Sequence, residues 1–187
     1  AQLLPEVHQT MEHSAISKKQ LEQSKDLLST LALLFSSTPP EQTRARLHDL
    51  KLESIDRESP YRVEISSVVD LVERLQKIEE LDSLPSWPAH KVFQKFGTPQ
   101  GERFLHLAKI MGEEKRILRV RDLLASFCQV CKVEHPSQIR ALVTGRDVIQ
   151  TLGIKPGPVV GELLRKAFDL QLTEGLDRET ILKRLQE

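Results

Sequence analysis

The residues best placed to do chemistry are Lys155-Pro156-Gly157-Pro158. Proline is tolerated in a first helical turn, where its missing donor costs nothing, and Gly157 is expected to take dihedrals that other residues avoid. A helix starting here would offer N–H groups and the positive end of its dipole, with Lys155 alongside, to an anion such as phosphate. Arg140, Arg146, Arg165 and Lys166 flank this turn in the sequence and extend the expected binding set. The plainer alternative is a helical hairpin in which Gly145, Gly153 and Gly161 serve only turns and close packing.

Other constellations carry less. Cys128 and Cys131 with His135 nearby invite zinc, but a tetrahedral structural site needs about four ligands and no second cysteine pair follows. The two cysteines fall within a helical pattern, where residues three apart share a face, and they are expected to be reduced and to face the core. His48-Asp49 looks like the metal-binding dipeptide of phosphohydrolases without the further ligands that chemistry needs. His8, His13, His90 and His106 also lack partner spacings, so no catalytic residue and no metal site is expected. A second basic run, Arg103, Lys109, Lys115, Arg116, Arg119 and Arg121, could line a groove for an RNA backbone, but it is interleaved with Glu102, Glu113, Glu114 and Asp122 and reads in preference as a solvated face. Asp147 is expected to cap a helix or pair with a basic neighbour. Trp87, between Pro85 and Pro88, reads as a loop anchor in preference to a base-stacking platform, a role also weighed for Tyr61.

Helices must position these residues. Aromatics are 4% of the 187 residues, Leu dominates the apolar positions, and alternating strand patterns do not recur. The stops and caps predict helices at 6–36, 39–50, 60–81, 87–96, 98–111, 114–131, 136–142, 145–152, 157–174 and 178–186. The first is expected to break because Glu12 to Gln23 is polar all round. Thr38-Pro39-Pro40-Glu41 reads as a capping box, Thr98 and Asp177 as helix starts, and Gly97 and Gly175 as stops. Val68, Leu71, Val72, Leu75 and Ile78 form an apolar stripe. The fold class expected is all-α, a helical body at 1–112 followed by a smaller helical tail at 113–187.

The chain is neutral, with 27 Lys+Arg against 27 Asp+Glu, but unevenly so. Residues 1–90 hold 10 basic and 15 acidic residues, and 91–187 hold 17 and 12, so the back half carries +5. A basic back would let one surface meet phosphate. No apolar run approaches the roughly 20 residues of a membrane helix, and no secretory signal is visible, so a cytoplasmic protein without a membrane partner is expected. The start at Ala1 in place of Met fits a cut made within a longer sequence.

The order Gly145-Arg146-Asp147-Val148-Ile149, then Gly153-Ile154-Lys155-Pro156-Gly157-Pro158, then Gly161 resembles the C-terminal signature of bacterial tRNA nucleotidyltransferases, the CCA-adding enzyme and poly(A) polymerase family. Leu31 to Phe35, Thr38 to Glu41, Ala45 to Leu52 and Ala89 to Gly97 look, more loosely, like that family's helical body. The family's catalytic head, a glycine-rich strand and an Asp-x-Asp metal site, has no counterpart here. The resemblance therefore implies the body and tail of such an enzyme, inactive alone. Magnesium and nucleoside triphosphates would belong to the absent head.

The expected function is to hold tRNA or another structured RNA for 3′-end addition, through Arg140, Arg146, Lys155, Gly157, Arg165 and Lys166. Its partners would be that RNA and the missing head. The rival expectation is a helical interaction module whose Leu-rich faces bind another chain, a second copy included.

Overall fold

The structure is a computed structural model that describes residues 16–24, 26–50 and 64–187. His8, His13, Tyr61, the connection 52–60 and the start of the first predicted helix lie outside the described residues. Every regular element among those described is helical, as the sequence leads one to expect. The chain divides into two compact units, one from 1–82 with 103–117, the other from 83–102 with 118–187. Residues 83–102, assigned from sequence to the first domain, thus group with the C-terminal helices.

In the first unit, α1 (Lys18–Glu22) and α2 (Leu27–Leu34) are the expected broken helix. Asp26 restarts the chain as an N-cap, its carboxylate accepting the Ser29 amide at 2.8 Å, and Arg103 holds the other oxygen at 3.1 Å. Helix α3 (Pro40–Asp49) does not have the predicted capping box: Pro39 occupies the N-cap position and no side chain caps it. A residue ahead of proline is driven to extended backbone, so the helix starts after Pro39 and Thr38 is left outside it. Thr38 contributes its carbonyl instead, accepting from Gln76 Nε2 at 2.8 Å and from the Thr43 hydroxyl at 3.2 Å.

Helix α4 (Ile65–Gln76) packs on α2 and α3 through Val68, Leu71, Val72 and Leu75, the stripe seen in the sequence. Each such side chain, removed from water, stabilises the unit by about 1.5–3 kcal/mol. The α-helix predicted to run to 81 ends at Gln76, and Ile78–Ser86 continues as 3-10 turns. Pro85 lies inside this stretch and has no N–H to continue a helical ladder.

The second unit contains α5 (Ala89–Phe96), most of α7 (Glu114–Val130), α8 (Gly145–Leu152), α9 (Pro158–Glu174) and α10 (Arg178–Arg184). The unit boundary falls inside α7 and inside α6 (Pro99–Ile110). Helix α9 packs on α5, α8 and α10. Val148 of α8, Val160 and Ala167 of α9, and Ile181 and Leu182 of α10 form one buried cluster, joined by Val143 and by Leu185 at the end of α10. The helix predicted at 136–142 is absent: only Pro136–Gln138 makes a 3-10 turn, and Ile139 is already extended. The cause is Gln171 of α9, which bonds the backbone of residues 140 and 142 and so removes those groups from any helical ladder.

Candidate nucleic-acid interface

The α8–α9 hairpin and its start on α10 are built from carboxylates and glycines. Thr144 caps α8, and Asp147 closes the box by accepting the Thr144 amide and hydroxyl, each at 2.8 Å. The second oxygen of Asp147 accepts from Arg178, the first residue of α10, which ties two helix starts together. Asp177 caps α10 by accepting the Thr180 amide at 2.9 Å. Both expectations for Asp147, capping and pairing, are met by one side chain.

These contacts set the acid response. The Arg178 hydrogen bond, then those of Thr144, hold the Asp147 carboxyl well below its ordinary value of 3.8. The Thr180 amide lowers Asp177 in the same sense. For Asp26, burial pushes the value up, but the Ser29 amide and Arg103 outweigh it and the net shift is downward. A carboxyl lowered in the folded state adds stability that is present above 3.8 and lost as pH falls through the folded value. Melting should therefore drop on going from about pH 6 to about pH 2. Asp147→Asn should melt below the parent chain at the higher pH, with the gap closing at the lower one. A gap that stays constant with pH would mean that the Asp147 charge is not involved.

The glycines divide in an unexpected way. Gly153 ends α8 with φ 64°, the left-handed conformation that favours glycine. Gly157, to which the sequence reading gave unusual dihedrals, is extended at φ 172°, and a Cβ built on it meets nothing within 4 Å. Gly157 is the N-cap of α9 with Pro158 at the first position and no side-chain cap. The predicted helix start is in place, but its turn relies on Gly153.

All six predicted binding residues lie in the second unit, and all are exposed. They do not converge on one pocket. Arg146 and Lys155 stand at opposite ends of α8, roughly 12 Å apart along its axis. Arg165 and Lys166 lie about as far again beyond the α9 start, on its exposed side, while Val160, Ala167 and Gln171 face inward. The guanidinium of Arg140 folds onto its own loop, with Nη1 donating to the carbonyls of Ser137 at 2.6 Å and Ile139 at 3.2 Å. The arrangement is a spread of cations suited to an extended polyanion.

Two members of the competing basic run are committed. Arg116 pairs with Asp82 at 2.8 Å and with Glu113 at 2.6 Å, and Arg103 pairs with Asp26 at 3.1 Å. Arg146, Lys155, Arg165 and Lys166 form no ion pair with another described residue.

Trp87 is engaged as an anchor. Its ring stacks on Phe96, with centroids 6.3 Å apart, its Nε1 donates to Ser83 Oγ, and the ammonium groups of Lys91 and Lys95 lie 4.1 and 5.0 Å from its centroid. His48 is exposed, and no cluster of three or more metal-ligating side chains exists among the described residues. His135 caps the 3-10 turn, its ring accepting the Ser137 amide, and it also meets Glu102 at 3.0 Å. Burial pushes both thiols, Cys128 and Cys131, above their ordinary value, and the Cys131 thiol donates to the Gln171 carbonyl. A thiol kept protonated is a poor metal ligand. Chelators should leave helicity and melting temperature unchanged; a stoichiometric metal lost together with structure would contradict this assignment.

Two features escaped the sequence reading. Asp169 of α9 accepts the His90 amide at 2.6 Å and meets His90 Nδ1 at 2.7 Å, capping α5 from a neighbouring helix. Pro88, at the N-cap of α5, has no acceptor of its own, so the need was visible although its source was not. The other is Gln171, buried at 6% exposure, whose amide donates to the Arg140 carbonyl at 2.8 Å and accepts from Leu142 N at 3.0 Å. Nothing in its neighbours' spacing marks it.

Comparison of the chain with protein-family models, with curated proteins and with solved structures finds no match.

Proposed function

We propose that the second unit is a structured-RNA-binding module, and that it serves a nucleotidyltransferase head lying outside this chain by holding tRNA for 3′-end addition. What supports the reading most is the exposed set Arg146, Lys155, Arg165 and Lys166, which lies outside the ion-pair network of the described residues, whereas Arg103 and Arg116 are engaged within it. The nucleotidyltransferase part rests on the motif resemblance around Gly145 to Gly161 alone. Contacts from spread cations read phosphates and the shape of an A-form helix, because its deep groove hides base identity.

An interaction module would present a continuous apolar surface. The exposed large apolar residues among those described are Leu118, Leu142 and Val159. Leu142 is held beside Gln171, and Val159 lies twelve residues earlier on the same helix, roughly 18 Å away along its axis, so these two form no common patch. The chain should bind a tRNA transcript more tightly than single-stranded RNA of equal length in a gel-shift competition at low salt. Equal affinity for the two would remove structured RNA as the target.

A further inference from the structure

We propose that Arg140 is a preorganised phosphodiester-binding arginine and that Gln171 is the buried residue that positions it. The inference rests on the RNA-binding reading above. Arg140 is an exposed cation fixed at both ends: its carbonyl accepts from Gln171 Nε2, and its guanidinium Nη1 donates to the Ser137 and Ile139 carbonyls. The loop that supplies those carbonyls is itself braced. Gln138 Oε1 accepts the amides of Glu134 and His135, each at 3.0 Å, and the His135 ring accepts the Ser137 amide at 3.3 Å.

A surface arginine ordinarily loses rotamer freedom when it grips a ligand. Here part of that loss has already occurred on folding. With Nη1 turned to the loop carbonyls, the Nη2 and Nε donors remain as a planar fork, and a fork of that spacing fits the two non-bridging oxygens of one phosphate. Lysine cannot reproduce the fork, so Arg140 should discriminate by geometry as well as charge. Gln171 enters because its amide bonds residues 140 and 142 from within the core, and its loss would free the backbone on which the fork stands.

The test is a double-mutant cycle on the full chain, with a tRNA transcript as probe. Arg140→Ala should weaken binding about tenfold and reduce the salt slope by about 0.9, the value for one phosphate. Arg140→Lys should lose nearly as much. Gln171→Met, which keeps the length and removes the amide, should weaken binding about tenfold beside Arg140 and cause no further loss beside Arg140→Ala. An Arg140→Lys chain that binds like the parent would overturn the fork, and fully additive losses would reduce Gln171 to general packing. Should circular dichroism show Gln171→Met unfolded, the lysine comparison decides alone, since Arg140 is exposed. Failure of the unaltered chain to bind would sink the RNA reading and this inference together; binding that ignores both Arg140 variants sinks only the inference.

Discussion

Replacement of Gly101 by alanine is expected to be the most damaging single-methyl change in the second unit. Gly101 lies in the first turn of α6, its amide donating to Thr98 Oγ1 at 3.1 Å. A Cβ there would stand 2.4 Å from the Phe96 Cα and 2.5 Å from the Phe96 carbonyl oxygen. Both are backbone atoms, so no rotamer change can relieve the clash, and the turn between α5 and α6 must open. Phe96 is fully buried and stacks on Trp87, which spreads the displacement into the core. Overpacking of this kind costs about 3 kcal/mol or more, equivalent to a fall in melting temperature of roughly 10 °C or more. Gly161→Ala is the matched control. It lies within α9 with nothing inside 4 Å of its Cβ, and there alanine should stabilise by about 0.5–1 kcal/mol through lower chain entropy in the unfolded state. Thermal melts that move both variants the same way would refute the contact at Phe96.

The largest effect on binding should come from reversing charge at Lys155 and Arg165 together. Both are exposed, one before the α9 start and one two turns along it, so glutamates there meet solvent and α9 keeps its packing. Exposed substitutions of this kind change stability by about 0.5 kcal/mol or less. Toward RNA the double change replaces two attractions with two repulsions. An affinity loss of about a hundredfold at fixed salt, equivalent to about 2.7 kcal/mol, is expected from two phosphate contacts. A double mutant that binds tRNA as the parent does would leave the α8–α9 turn as a structural hairpin and move the search to the residues between Arg103 and Arg121.

Much of the fold was legible because its signals are local. The stripe of α4, the stop at Gly175 and the cap at Asp177 each depend on a few neighbouring residues. The errors share an opposite cause. The lost helix at 136–142 and the Asp169 cap on α5 are made by side chains of α9, more than thirty and nearly eighty residues away in sequence. Gly157 was misjudged because Pro-Gly-Pro suggests strain, yet the backbone there is extended and the left-handed residue is Gly153. For the candidate interface, local sequence singled out cations that the structure leaves exposed in the second unit. It could not show that Arg103 and Arg116 would be drawn into ion pairs with Asp26, Asp82 and Glu113.

The central claim, that the second unit meets RNA through phosphate contacts, is tested most directly by the affinity of the chain for a tRNA transcript across salt. If about four phosphates are neutralised, log affinity should fall with log salt at a slope near −3.6, a loss of on the order of 10²-fold between about 50 and 200 mM. An affinity that stays flat across that range, or a chain that binds no tRNA at the lowest salt, would contradict it.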